Sequence, residues 1–167
     1  MAARPAADTQ PAAQLHAAGA GYRDPTDVIT GIFTVGSRTA LCLFDTGAST
    51  SFIATSFVVE SGLSTVTCGR SIDVETPICR TTVDRLVAEV FVSIGGHDFV
   101  LRPYVMDMRS FDAILGMDWL TTYQAHVDCI QRTVSLVHPS CTPVLFQGSR
   151  LDAPVPVVTA LQAVRLL

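Results

Sequence analysis

The sequence predicts a mostly β domain with one or two short helices. Apolar and polar residues alternate with the two-residue period of a half-buried strand, most clearly over 86–94. Two-residue turn signals, Gly36-Ser37 and Gly95-Gly96, separate apolar runs of strand length. Only 53–60 and 117–123 have the length and composition of short helices inside the periodic part of the chain.

The chain has 167 residues, enough for one domain with tails. Residues 1–25 are rich in Ala, Pro and Gln and are predicted to be a linker or disordered arm. Periodic sequence then defines a domain over 26–137, roughly 110 residues long. Residues 138–167 are predicted to be a C-terminal linker, irregular at first and with a short helix over 157–167.

Each predicted element follows from its local pattern. Two apolar runs around Gly36-Ser37 form a hairpin, and Pro77 makes 71–82 a hairpin tip or an edge, because proline cannot sit in a central strand. A buried strand ends at Gly116 and leads into the second helix. In chain order, the predicted strands are 28–35, 39–44, 86–94, 97–101, 104–106, 113–116, 125–129 and 133–137.

Charge and hydropathy exclude several classes of partner. The net charge is −4, and the 11 basic residues are all arginines that are scattered along the chain. This argues against a nucleic-acid groove or a polybasic membrane patch. No apolar run is long enough to span a bilayer, and the N-terminus lacks the organisation of a signal peptide. We therefore expect neither nucleic acid nor a membrane as a partner of this domain.

The cysteines and histidines do not form a metal or disulfide pattern. Five cysteines occur without any C-x-x-C, and the four histidines are isolated. An odd count without paired spacing predicts reduced, mostly buried thiols, Cys42 and Cys129 among them, in a reducing, cytoplasmic compartment. We expect no metal and no cofactor.

Asp45-Thr46-Gly47-Ala48-Ser49 is the most informative stretch. An apolar strand, 40–44, delivers Asp45 into a Thr-Gly turn. The strand carries a carboxylate into the interior, and the glycine permits a tight turn and close approach of a substrate. A second motif, Ile114-Leu115-Gly116, follows an apolar strand 71 positions later, counted from Asp45 to Gly116.

With these two motifs in this order, the sequence resembles the retropepsin family of aspartic proteases. It is most similar to the protease segment of gypsy-class LTR retrotransposon polyproteins. The likeness covers about residues 28 to 137 and is carried by 43–53, by 111–120 and by His126-Val127-Asp128-Cys129. The resemblance implies a single-lobe β-barrel that assembles as a two-fold homodimer.

The resemblance also implies a mechanism and assigns roles to residues. Peptide hydrolysis by this route needs two carboxylates, and the chain has no second Asp-Thr-Gly or Asp-Ser-Gly. Asp45 and its symmetry mate would activate a water in a homodimer, and a two-lobed monomer is excluded. The substrate would be an extended polypeptide, expected to be the chain's own Gag-Pol-like polyprotein.

The remaining implied roles belong to the surrounding loops. Thr46 and Gly47 would support the active-site loop together with Ile114, Leu115 and Gly116. Ala48 and Ser49 would contact the substrate, as would a flap over 74–80. The implied flap residues are Thr76, Pro77 and Ile78. Retroviral members carry Asp and Arg at the places of Ser49 and Met117, so their ion pair is replaced here.

Alternative interpretations remain for individual residues and for the function of the domain. Asp118 is interpreted as a carboxylate at a helix start, and Asp112 and Asp128 as capping or turn groups. Trp119 is interpreted as core packing. An inactive retropepsin-like module for dimerisation or peptide binding is the alternative to an active endopeptidase. The intact Asp45-Thr46-Gly47 favours the enzyme.

Overall fold

The structure is a computed structural model that describes residues 28–75 and 80–148, together with the backbone of residues 164–166. The prediction of a mostly β fold with two short helices is confirmed. In chain order the elements are β1 Ile29–Val35, β2 Arg38–Phe44, β3 Phe52–Ala54, α1 Thr55–Ser61, β4 Val66–Glu75, β5 Arg80–Leu86, β6 Val90–Ile94, β7 His97–Leu101, β8 Tyr104–Met106, β9 Ala113–Leu115, α2 Met117–Thr122, β10 His126–Asp128, β11 Thr133–Val137, β12 Pro143–Gln147 and β13 Val164–Leu166.

Within the described part of the chain, the strands form two sheets. The larger has ten strands in the order β13-β4-β5-β8-β3-β9-β2-β1-β6-β7, and the smaller has the order β10-β11-β12. Neighbouring strands in the larger sheet are antiparallel except for two parallel pairs, β2 with β9 and β3 with β8. The parallel pair β2–β9 matters most for function, because it brings the strand before Asp45 beside the strand before Gly116.

The main core lies between the larger sheet, the two helices and the smaller sheet. Its centre is a group of aromatic rings in edge and tilted contacts, a geometry that aromatic pairs favour. Trp119 of α2 packs against Phe44 at the end of β2, with ring centroids 6.3 Å apart. The Tyr123 hydroxyl exchanges hydrogen bonds with the backbone N–H and carbonyl of Val100 on β7. These contacts fix α2 behind the end of β2.

A second, smaller cluster covers the other face of β2, β3 and β9. It joins Leu43 and Ile114 to Ile72 and Val74 of β4 and to Ala48 of the loop after β2. All five side chains are buried. The β4–β5 hairpin is therefore packed over the strand ends that carry the two sequence motifs.

Both predicted hairpin turns are confirmed. Ile94 pairs with His97 across Gly95-Gly96, and both glycines have positive φ (58° and 80°). Glycine is the residue that adopts a positive φ at two successive positions without a steric penalty. The two glycines themselves therefore specify this turn. Val35 likewise pairs with Arg38 across Gly36-Ser37.

One predicted strand is wrong in its extent. The alternation over 86–94 indicated a single strand, but β5 ends at Leu86 and β6 begins at Val90. Between them the Val87 N–H donates to the Pro103 carbonyl at 3.0 Å. The chain changes partner there and the predicted alternation is interrupted, because Val87 is buried and Ala88 is exposed. The alternation holds from β6 onward, where Val90, Val92 and Ile94 are buried as the pattern predicted.

The prediction that 138–167 is a linker with a terminal helix is wrong on two counts. Residues 143–147 form β12, which pairs with β11 and buries Val144 in the main core. Pro143 begins the strand, where a missing N–H is tolerated. Residues 164–166 form β13 rather than helix, since the open edge of β4 supplies backbone hydrogen-bonding groups. The remaining residues of 157–167 lie outside the described part.

The folded part also extends beyond the predicted limit at residue 137. Gly148 still donates its N–H to the Arg132 carbonyl at 2.8 Å. The predicted arm, 1–25, and the implied flap residues Thr76, Pro77 and Ile78 lie outside the described residues. The hairpin in which the resemblance places a flap is described on both sides of these residues, where Glu75 pairs with Arg80.

The prediction of mostly buried thiols holds for one of the four described cysteines. Cys42 on β2 is buried, whereas Cys68 is half-buried and Cys129 and Cys141 are exposed. Cys129 lies in the turn after β10 rather than in the strand, which explains its exposure. Burial, with a contribution from the nearby Asp112 carboxylate, raises the pKa of Cys42 from 9.0 to about 12.

Candidate active site

Asp45 lies at the first position after β2, on a loop held by its own backbone. Its N–H donates to the Leu115 carbonyl at 3.0 Å, which continues the β2–β9 pairing one residue past the strand. Its Oδ1 accepts the Gly47 N–H at 2.8 Å. Asp45 is half-buried, and Thr46 and Gly47 are exposed. The carboxylate is thus fixed on a rigid loop with access to solvent.

The two motifs approach each other so closely that position 116 must be glycine. A Cβ atom at this position would lie 2.5 Å from the Thr50 carbonyl oxygen and 2.9 Å from that of Ala48. Its φ of −89° is open to any residue, so space rather than backbone conformation demands glycine. The loop that carries Asp45 therefore rests directly on the backbone at Gly116.

A buried serine joins the two motifs through its side chain. Ser51 Oγ accepts the Gly116 N–H at 3.0 Å and donates to Asp118 Oδ1 at 2.7 Å. The same Asp118 oxygen accepts the Trp119 N–H at 2.8 Å at the start of α2. Asp118 is thus a helix-start carboxylate, as its position indicated, and it also accepts from the serine that binds the Gly116 N–H.

Backbone hydrogen bonds connect the residues that stand where retroviral members carry an ion pair. The Met117 N–H donates to the Ala48 carbonyl at 2.7 Å, and the Asp118 N–H donates to the Ser49 carbonyl at 3.2 Å. The two loops are therefore tied without any charge at Ser49 or Met117. Ser49 is exposed, whereas the Ala48 side chain is fully buried.

The other two residues of the second motif face opposite sides of β9. Ile114 belongs to the smaller cluster with Ala48, and Leu115 belongs to the main core. Ile114 therefore lies on the side of β9 that faces the β4–β5 hairpin. Leu115 lies on the opposite side, where it packs in the main core.

Thr46 lies at the rim of a groove of about 580 Å³ beside α2. The groove runs along α2 and β10, and its walls are mostly apolar. Met117 is among its exposed lining residues. The full lining is Thr46, Met117, Leu120, Thr121, Gln124, Ala125, His126 and Val127.

Two contacts of the site were not anticipated from the sequence. Ser51 is a fully buried polar residue at the end of the polar run 49–51, and no sequence signal distinguishes it from its neighbours Ser49 and Thr50. Asp112, interpreted as a capping or turn group, instead accepts the Leu41 N–H at 2.8 Å across to β2. Asp128 does act as a turn group, since its Oδ1 accepts the N–H groups of Ile130 and Gln131.

Among the described residues, no group of three or more His, Cys, Asp or Glu side chains is arranged to hold a metal ion. No helix in the described part of the chain is long and apolar enough to cross a membrane.

Comparison with known proteins gives two findings. Residues 13–140 match the family model described as retroviral aspartyl protease. The structure is similar to the crystal structure of the retroviral protease-like domain of Ddi1 from Leishmania major, with a TM-score of 0.58 at 17% sequence identity. That alignment covers 75% of this chain and 98% of the other. No curated protein matches the chain.

Proposed function

This chain belongs to the retroviral aspartyl protease family, with a retropepsin-like fold, and from that premise we propose that it is an aspartic endopeptidase whose site forms when two copies meet at Asp45. One observation carries the proposal. Asp45 is half-buried on a loop that is fixed by two hydrogen bonds, from its own N–H to the Leu115 carbonyl and from the Gly47 N–H to its Oδ1.

Two copies are needed because each chain supplies one such carboxylate. Across a two-fold axis the same loop meets itself, so each Asp45 faces its mate. Like charges in close contact do not both ionise readily, and the pair shares one proton. The ionised member takes a proton from water, while the protonated member donates a hydrogen bond to the scissile carbonyl and stabilises the developing oxyanion.

The loop geometry supports this use of Asp45. Thr46 is exposed beside the carboxylate, where its hydroxyl can cross-link the two loops of a dimer. Thr46 also lines the mostly apolar groove beside α2, so apolar surface lies near the proposed meeting point. Removing such surface from water favours association.

We propose an extended polypeptide as the substrate, bound between the Asp45 loop and the β4–β5 hairpin. Gly47 and Ser49 are exposed on this loop and can offer backbone and hydroxyl groups to the main chain of such a strand. The chain's own polyprotein of Gag-Pol type is the proposed source of that polypeptide.

Cleavage of a peptide panel at mildly acidic pH by the natural protein and by Asp45→Asn tests the proposal. The natural protein should cleave and the variant should not, and sedimentation should show a concentration-dependent dimer for both. Equal cleavage by the two proteins would show that Asp45 is not catalytic. If neither cleaves while both dimerise, the chain is a binding module.

A further inference from the structure

The outer edge of β4 carries a segment of the same chain. One edge of β4 pairs with β5, and the other pairs antiparallel with β13. The register places Val164 opposite Val74, Arg165 opposite Asp73 and Leu166 opposite Ile72. An apolar–basic–apolar triplet thus lies against an apolar–acidic–apolar triplet. The register thus brings a basic position of β13 opposite an acidic position of β4.

Asp73 is equipped to select a basic residue at this edge. It is half-buried, with 16% of its side chain exposed. Its Oδ2 accepts from Arg80 at 3.0 Å and its Oδ1 from Thr82 at 2.7 Å, both on β5. A carboxylate has about four acceptor sites, so two contacts leave capacity for a second guanidinium. The two existing contacts hold the carboxylate in place.

The same stretch of β4 lies over the loop that carries Asp45. Ile72 and Val74, which flank Asp73, are fully buried and share a cluster with Ala48 and Ile114. A strand that pairs with the outer edge of β4 at 72–74 therefore extends the β4–β5 hairpin. In the proposed enzyme this hairpin covers the substrate. Extended peptides bind open sheet edges by adding a strand, with main-chain hydrogen bonds giving affinity and side chains giving specificity.

We propose that the outer edge of β4 at Ile72–Val74 is a docking edge for an extended apolar–Arg–apolar peptide, occupied in cis by Val164–Leu166, and that this segment competes with substrate. The docking itself requires no catalysis. The competition rests on the proposed function, because it requires β4 to cover Asp45.

Hydrogen exchange in the full-length Asp45→Asn protein tests the docking alone. Replacing Val164 and Arg165 together by Pro removes the ladder N–H in either hydrogen-bonding register, since consecutive positions alternate. The matched control replaces Val157 and Val158 by Pro. Because successive β4 N–H groups alternate between β5 and β13, we expect exchange to rise roughly tenfold or more in the first variant for those amides within 72–74 that face β13, and to stay unchanged in the control. Equal exchange in the two would overturn the docking.

A labelled peptide of the sequence of residues 162–167, Gln-Ala-Val-Arg-Leu-Leu, tests the specificity. It should bind the Val164→Pro/Arg165→Pro protein, and a peptide with Glu in place of Arg should bind roughly three- to tenfold more weakly. Asp73→Asn should remove that difference. Equal binding of the two peptides to the protein with Asp73 intact would overturn the role of Asp73.

Cleavage assays with Asp45 intact then test the competition. The double proline variant should lower KM for a peptide substrate without a matching change in kcat, and the Arg peptide should inhibit it competitively. An unchanged KM in a cleaving protein would overturn the competition. If no form cleaves while exchange and binding behave as expected, the docking edge stands and the proposed enzyme fails.

Discussion

Gly116→Ala tests whether the two motifs touch as the structure shows. The added Cβ would lie 2.5 Å from the Thr50 carbonyl oxygen, 2.6 Å from its carbon and 2.9 Å from the Ala48 oxygen. All three are backbone atoms, so no side chain can rotate away. Reaching even 3.0 Å requires the Asp45 loop to retreat by about 0.5 Å, and overpacking of this kind costs about 1–3 kcal/mol.

Two glycines of the same chain give matched controls. A Cβ at Gly69 meets nothing within 4 Å, so Gly69→Ala should be neutral or stabilise by about 0.4–1 kcal/mol. A Cβ at Gly62 also meets nothing, but its φ is +64°, so Gly62→Ala should cost about 1–2 kcal/mol from backbone strain alone.

Urea unfolding at one fixed protein concentration measures all three variants, because a dimer's stability depends on concentration. Gly116→Ala should also lose activity beyond its loss of stability, because a displaced carboxylate is misaligned with the substrate. If Gly116→Ala unfolds at the same urea concentration as Gly69→Ala, the close approach at Gly116 is refuted.

Two further predictions concern stability and its dependence on pH. Ser51→Ala should lower the free energy of unfolding by about 1–3 kcal/mol, because it leaves the buried Gly116 N–H without its acceptor, whereas Ser56→Ala on the exposed face of α1 should not. Equal urea midpoints would contradict this. The native Cys42 thiol stays protonated up to about pH 12, while an unfolded chain ionises it above 9.0. Stability should therefore fall as pH rises from 9 to 12, by roughly 1.4 kcal/mol per pH unit from this group, and Cys42→Ala should flatten that slope.

The features that could be predicted from the sequence are those set by local chemistry. Gly95-Gly96 specifies its own turn, and the apolar run before Asp45 specifies a strand that ends at the carboxylate. The second motif is paired with the first through the family resemblance, and the close approach of the Asp45 loop at Gly116 gives the physical reason for its glycine. These signals are contained in a few neighbouring residues.

The features that could not be predicted depend on residues far apart in the chain. β12 and β13 form because β11 and β4 offer free edges, and no pattern within 143–147 or 164–166 reveals those partners. The hydrogen bonds of Ser51 to Gly116 and Asp118 join residues more than 60 positions apart. Sequence reasoning could neither distinguish Ser51 from the adjacent Ser49 and Thr50 nor identify its partners.

The central claim is that one site is built from two Asp45 residues, and mixing tests it most directly. The natural protein is combined with Asp45→Asn in rising proportion, at constant total concentration well above dimer dissociation, and re-equilibrated before peptide cleavage is measured. If both carboxylates are needed, random pairing leaves about a quarter of the activity when half the chains carry Asn. A fall to about one half, in proportion to the natural chain, would contradict the two-chain site.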